Sequence, residues 1–382
     1  MSDKPKNTLN IKFSALRAYI MLAVLAGIWL LFQWGTGGTF LTPGNLSNVA
    51  LQTSVTGILA VGMLMVIVAG QIDLSVGSVL GFAGAVAAII LTNYGYGLVP
   101  VMLVAITVGL VIGLFHGFLT AYFNIPAFIV TLGGLLAWRG AVKGITKSET
   151  IAISDPVYKA VGQSSVPLAI GWVLAAVAIL FVLVMAYNRA RQQETYGLGK
   201  ANYGKELLKT VIPAIFILAF IYVMNSAAGV PIPVLILLMV ALLGAFITGN
   251  TTFGRYLYAI GGNPDAARLS GINNRRNILK VFALLGALTG IAALINTARL
   301  GSASTDDGTL KELDAIAACV IGGASLMGGR GTIFGACLGA LIMASLDNGM
   351  SLMNLSDYLK DIIKGSILVS AVGLDMFGRK SS

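Results

Sequence analysis

Charge is scarce in this chain. Only 10% of its 382 residues are Asp, Glu, Lys or Arg and 57% are hydrophobic, against roughly 25% charged and 45–50% apolar in a soluble domain. A mean hydropathy of +0.88 leaves too little polar surface for a water-soluble body, so the chain reads as an integral membrane protein. Histidine occurs once and cysteine twice. His116 cannot build a metal site unaided and, among apolar and small neighbours in GLFHGFLT, reads as a packing histidine rather than a proton carrier. Cys319 and Cys337 lie in apolar segments with neither metal-type spacing nor a secretory disulfide framework. The chain also lacks a G-x-x-x-x-G-K-[ST] phosphate loop, a nucleophile elbow and an H-E-x-x-H motif. It therefore has no visible means of hydrolysing ATP. The pairs Gly261-Gly262 and Gly322-Gly323 lack the strand and helix context of a dinucleotide fingerprint. No catalysis, resident cofactor or metal is expected.

What the chain has in abundance is long apolar runs, near residues 18–34, 49–70, 76–92, 98–122, 126–142, 168–187, 210–226, 231–249, 278–298, 314–327, 331–349 and 361–378. Runs of about 20 residues suit a hydrocarbon core roughly 30 Å thick, which helices cross because they satisfy their own backbone groups. The expectation is an all-α, polytopic transmembrane bundle of about twelve segments, forming one domain over residues 1–382. The start, MSDKPKNTLNIKFSALR, runs into apolar sequence without a small-residue cleavage site, so the first span is read as uncleaved. Many of the 47 glycines recur beside Ala or Ser, as in GFAGAVAA and GACLGALIMAS; small residues let transmembrane backbones approach closely.

The formal charge of +10 does not point to nucleic acid, because the basic residues sit in short loops beside apolar spans. With a cytoplasmic N-terminus, Arg189, Arg191, Lys200, Lys205 and Lys209 fall inside, as do Arg255, Arg268, Arg275, Arg276 and the C-terminal Arg379 and Lys380. That follows the positive-inside rule. The stretch with Arg139, Lys143, Lys147 and Lys159 departs from it and falls outside or at the outer interface.

Two polar, glycine-bearing breaks interrupt the apolar pattern: VAGQIDLSVGSVLG, residues 68–81, and VIGGASLMGGRGTIFG, residues 320–335. Gly77 to Gly81 and Gly331 to Gly335 share a weak repeat of glycine, hydroxyl residue, β-branched residue, large apolar residue and glycine. Corresponding breaks in two halves point to a substrate pathway; tight turns at the membrane surface are the alternative. Asp73, Ser75 and Gly77 in the first break, Gly322 and Gly323 in the second, and Asn296 are the candidate pathway residues. An acid at Asp73 is expensive in a membrane unless paired, and it suits a helix cap or a ligand contact. Asp314 fits a helix start, and Asp347 with Asn348 fits an interfacial polar cluster. Asn296 and Arg299 read either as outer pathway residues or as interfacial anchors. So few intramembrane acids and bases argue against a proton relay.

Between these runs lies a polar interval, GRYLYAIGGNPDAARLSG, residues 254–271. Pro264 suits a first helical turn, Asp265 complements the helix dipole, the alanines permit close approach and Gly271 can end the turn. Asp265-Ala266-Ala267-Arg268-Leu269-Ser270-Gly271 resembles the E-A-A-x-x-x-G coupling motif of ABC importer permeases, with Asp in place of Glu. With AVGMLMVIVAGQIDLSVGS and ELDAIAACVIGGASLMGGRGT, the longer string YAIGGNPDAARLSGIN resembles the ribose/xylose/galactose class of sugar permeases over most of the chain. The xylose-type members are the most similar, in having an extra pair of segments near 166–226 beside a ten-segment core and in the closing ASLDNGMSLMN.

The resemblance implies a permease subunit that carries a monosaccharide, D-xylose, across the bacterial inner membrane with both termini cytoplasmic. It implies as partners an ATP-binding subunit, a periplasmic sugar-binding protein and a second permease copy. The coupling loop, about residues 251–277, would contribute Gly261, Asn263, Asp265, Ala266, Ala267, Arg268 and Gly271. The alternatives are ribose or galactose as cargo, an ion-coupled secondary carrier of a small solute, and a membrane scaffold without flux.

Overall fold

The computed structural model describes residues 7–195 and 203–380; Lys200 of the basic loop lies outside them. The helices are α1 (Asn7–Gly35), α2 (Pro43–Val68), α3 (Val76–Tyr94), α4 (Leu98–Tyr122), α5 (Ala127–Thr146), α6 (Pro156–Gln163), α7 (Leu168–Thr195), α8 (Tyr203–Ala227), α9 (Ile232–Asn250), α10 (Thr252–Gly262), α11 (Pro264–Leu269), α12 (Asn274–Leu300), α13 (Lys311–Ile321), α14 (Ile333–Leu352) and α15 (Asp357–Lys380). Two-residue strands, β1 (Ile151–Ala152) and β2 (Ser302–Ala303), pair antiparallel with Ile151 opposite Ala303. Among the described residues nine helices are long and apolar enough to cross a membrane. The fold is the all-α polytopic bundle that the apolar runs predict.

Three of the twelve runs fall outside those nine: 18–34, whose described apolar part is the shorter Tyr19–Gly35 of α1, 361–378 in α15, and 314–327. The stretch 314–327 yields only the 11-residue α13, which stops at Gly322 and is about 16 Å long at 1.5 Å per residue. That is half the hydrocarbon thickness. Gly323, Gly328, Gly329 and Gly331 then all take positive φ, so the chain turns back into α14 before it can cross.

α2 lies at the centre. It is apolar on every side and almost wholly buried, from Val55 to Val68, as expected of a helix enclosed by others rather than by lipid. α12 crosses α4 with its backbone nearly touching: a Cβ added at Gly109 would collide with the Gly286 carbonyl, and one at Gly286 with the Gly109 carbonyl. Without Cβ atoms there, dispersion contacts replace the missing hydrophobic drive between helices in lipid. α7 and α8, the extra pair, bury little of their length. They pack on one another, with Asn225 Nδ2 donating to the Leu168 carbonyl at 3.2 Å, and are joined to the bundle where Val166 N donates to Val230 O.

The 27 residues of α12 span about 40 Å, so its ends define two faces. At its start, Asn274 Nδ2 donates to the Pro264 carbonyl of α11. At its other end, Tyr158 shares a 2.7 Å hydrogen bond with Thr297 and Gln163 Nε2 donates to the Arg299 carbonyl. The β1–β2 pair also lies there, because Ser302 follows α12 directly. Arg139 is used at this second face: its Nη1 donates to the carbonyls of Thr305 at 3.2 Å and Asp307 at 3.0 Å. Hydrogen bonds to the 301–310 loop therefore engage this cation on the side opposite α11.

Candidate functional sites on the two faces and within the membrane

The loop between α9 and α12 is built from three short-range caps. Thr251 Oγ1 accepts from Gly254 N at the start of α10. Asn263 Oδ1 then accepts from the amides of Asp265 at 3.1 Å and Ala266 at 2.9 Å, satisfying two donors that helix geometry leaves free. Pro264 opens α11, and Gly271, at φ +83°, ends the turn where a side chain would be strained. Asp265 and Arg268 stand out from the protein at 83% and 73% side-chain exposure, 3.6 Å apart, while Ala267 is buried beneath them. Leu269 is 85% exposed. Its apolar tip went unnoticed in the motif because an x position carries no expectation. Gly261 has a different setting from the exposed residues: a Cβ there would strike the Val68 carbonyl and Gly329 N. α10 is thus pressed against the end of α2 and the second break.

The first break sits deep in the bundle. Asp73 Oδ1 accepts from Ser75 N at 2.7 Å and from the Ser75 hydroxyl at 2.6 Å, and Leu74 N donates to Thr131 Oγ1 of α5. Ser75 Oγ lies 3.2 Å from His116 Nδ1, and Trp138 Nε1 donates to His116 Nε2 at 3.2 Å. Because an indole nitrogen only donates, Nε2 must accept; a neutral ring then carries its proton on Nδ1 and donates to Ser75, which donates to Asp73. The hydrogen bonds from Trp138 through His116 and Ser75 to Asp73 thus form an unbroken relay. The adjoining cavity, lined by Asp73, Ser75, His116 and Thr289 among others, is about 10 Å³, at the lower limit for a single water and far too small for a sugar. Thr289 lies near the middle of α12, which places Asp73 at mid-depth.

The second break lies near α11 instead. Gly322 and Gly335 oppose each other so closely that a Cβ on either would hit the other's carbonyl. Gly323 turns the chain at φ +95°, Gly329 N donates to Val68 O, and the Tyr258 hydroxyl donates to Gly331 O at 2.7 Å. The start of α3 meets a third segment, since a Cβ at Gly77 would collide with Glu312 and the Gly308 carbonyl. The candidate pathway residues therefore occupy separate places: Asp73 and Ser75 beside the small central cavity, Gly77 against the start of α13, Gly322 and Gly323 at the turn toward α11, and Asn296 near the far end of α12.

Asn296 lines the larger cavity, about 130 Å³, with Gln52, Thr56, Arg299, Lys311 and Asp347. Behind it is an ion cluster that the primary structure conceals. Lys311 pairs with Asp314 at 2.9 Å and Asp347 at 3.8 Å, and Lys364 pairs with the same two acids at 3.1 and 2.5 Å. Asp314, expected only as a helix-start residue, holds α13 to α15 through Lys364. Asp347 does not cluster with Asn348, whose Oδ1 accepts from Asn45 Nδ2 on another face. In the adjacent 301–310 loop, burial raises the Asp307 carboxyl above the usual range. Burial likewise pushes the Tyr158 phenol up to about 12. Among the described residues no group of three His, Cys, Asp or Glu side chains is placed to hold a metal.

A bundle of apolar helices broken at mid-depth, with a polar cavity toward one face and a protruding capped turn on the other, defines a multi-pass membrane permease. The chain belongs to the family described as "Branched-chain amino acid transport system / permease component", whose profile matches residues 45–372. It is 43% identical over 372 residues to the xylose transport system permease protein of Escherichia coli (strain K12), covering 97% of this chain and 95% of that protein. The protein of the same description from Haemophilus influenzae (strain ATCC 51907 / DSM 11121 / KW20 / Rd) is 44% identical over 371 residues, covering 97% and 99%. The ribose import permease protein of E. coli K12 is 36% identical over 336 residues, covering 88% and 87%. No solved structure gives a significant match.

Proposed function

We propose that this chain is the membrane-spanning subunit of a binding-protein-dependent importer that carries D-xylose across the bacterial inner membrane. ATP is hydrolysed by a partner subunit, and the chain itself catalyses no reaction. The observation that carries this reading is the exposed turn α11, whose Asn263 cap presents Asp265, Arg268 and Leu269 outward. These three outward side chains have no role in packing the bundle, and they supply the contact surface that a chain without a phosphate loop needs. The xylose assignment is supported by the identity to the xylose permeases, which exceeds that to the ribose permease.

In this reading the residues form one transmembrane domain that works as a pair of copies. A periplasmic binding protein delivers sugar to the face that carries β1 and β2. The face with α11 is cytoplasmic, as are both termini, in agreement with Arg255, Arg268, Arg275 and Arg276 around the loop. Asp265, Ala266, Arg268 and Gly271 meet the ATP-binding subunit; Ala267, Gly261 and Asn263 hold the turn in place.

The test is uptake into proteoliposomes that hold the permease and its ATP-binding subunit, with xylose, ribose, galactose and arabinose each supplied on its cognate binding protein. Leucine with its own binding protein is a further arm, because of the family's description. ATP-dependent uptake of xylose above the others is the expected result. Uptake driven by an ion gradient without the ATP-binding subunit, or of leucine alone, would sink the proposal.

A further inference from the structure

The cavity of about 130 Å³ near the end of α12 contains two polar side chains that the fold buries and leaves unused. Thr56 is 3% and Asn296 6% exposed, both line this space, and neither finds a hydrogen-bond partner among the described residues. With no partner in the fold, the Thr56 hydroxyl and the Asn296 amide open onto the same cavity, where a bound molecule can complete their hydrogen bonding. Arg299 Nε is likewise buried without a partner. Asp347 Oδ1 is taken by Lys364, whereas its Oδ2 stands 3.8 Å from Lys311, beyond hydrogen-bond distance and free to accept.

The charges select the class of ligand. Lys311 and Lys364 are matched by Asp314 and Asp347, and the third cation of the wall, Arg299, is attracted by the Asp307 carboxylate of the following loop, so each cation has an acid of the fold to answer it and the cavity asks for no net charge from its guest. Its apolar lining is only Val55 and Ala344, which gives a branched aliphatic side chain nothing to fill. Hydroxyl, amide, guanidinium and carboxylate side by side are suited to a small neutral polyol. At about ten times the space that one water needs, the cavity takes one monosaccharide. It has no aromatic wall for a sugar to stack on, so the hold is by hydrogen bonds alone and release is easy.

We propose that this cavity is a monosaccharide-binding station on the transport route, with Thr56 and Asn296 hydrogen-bonding ring hydroxyls and Asp347 Oδ2 accepting from a neighbouring one. The station rests on the sugar-permease reading above.

The experiment uses the full complex of permease, ATP-binding subunit and binding protein in proteoliposomes, with both sugar uptake and ATP hydrolysis measured. The wild type comes first: if it moves none of the four sugars, the permease reading fails before the station is tested. With wild-type uptake in hand, Thr56→Val, which removes a hydroxyl at constant shape, and Asn296→Leu, which removes the amide at similar volume, are each expected to lower uptake five-fold or more. Hydrolysis by the assembled complex should stay within two-fold of wild type. Thr56→Val decides the matter where Asn296→Leu fails to insert. A smaller loss of uptake in assembled Thr56→Val complexes overturns the station, and so does a parallel loss of uptake and hydrolysis, which marks a structural role.

Discussion

The Tyr258 hydroxyl donates to the Gly331 carbonyl at 2.7 Å, a bond between α10 and the second break. Beside it Gly261 packs on Val68 O and Gly329 N, so α10, which leads into the exposed turn α11, the end of α2 and the glycine-rich return into α14 form one packed joint. In the proposed reading, this joint is what passes a push on α11 to the interior. Removing the bond with Tyr258→Phe takes away roughly 0.5–1.5 kcal/mol of net stabilisation, enough to loosen this joint without unfolding the bundle. Uptake should fall several-fold while ATP hydrolysis persists; equal uptake per ATP in mutant and wild type would show that the joint transmits nothing.

Arg268→Glu reverses a charge on a side chain that is 73% exposed and touches no part of the core. Insertion and thermal stability should be those of the wild type, with ATP-dependent uptake lost. Leu269→Asp, at the apolar tip, should act in the same way. Co-purification of the ATP-binding subunit with each variant gives the direct measure, and undiminished recovery would remove α11 from the contact.

The crossing of α4 and α12 leaves no room for a methyl group at Gly286. Gly286→Ala is expected to lower stability by about 1–3 kcal/mol through overpacking. Gly133→Ala is the control, since an added Cβ at Gly133 meets nothing within 4 Å. Detergent-solubilised Tm values should separate the two variants by several degrees, and coincident values would contradict the close approach.

Lys364→Met leaves Asp314, 3% exposed, and Asp347 with Lys311 as their sole ionic partner among the described residues. Breaking a buried pair from one side costs about 3–5 kcal/mol. Adding Asp347→Asn should restore part of that loss, because the second change removes the charge left over. A double-mutant cycle on thermal stability measures the coupling; strict additivity would mean that Lys364 and Asp347 act independently.

Most of the helical architecture was legible in the residues. Apolar runs long enough to span lipid are dictated by the cost of exposing backbone polar groups to hydrocarbon, and they locate α2, α4, α9 and α12 to within a few residues. The turn at α11 was legible as well, because Pro264, Asp265 and Gly271 act on backbone groups within a few positions of themselves, although the cap by Asn263 emerged only in the structure. His116 read correctly as a satisfied residue, but its partners Ser75 and Trp138 are 41 and 22 positions away and no local pattern names them.

The primary structure by itself determined a polytopic helical membrane protein with a capped polar turn, since hydrophobic length and short-range capping depend on neighbours along the chain. Tertiary structure alone decided that the two glycine-rich breaks lie at different depths, that Lys364 of α15 neutralises Asp314 of α13, and that Thr56 and Asn296 share a cavity. These relations join residues dozens to hundreds of positions apart. They exist only once packing, charge pairing and close backbone approach have settled which helix faces which.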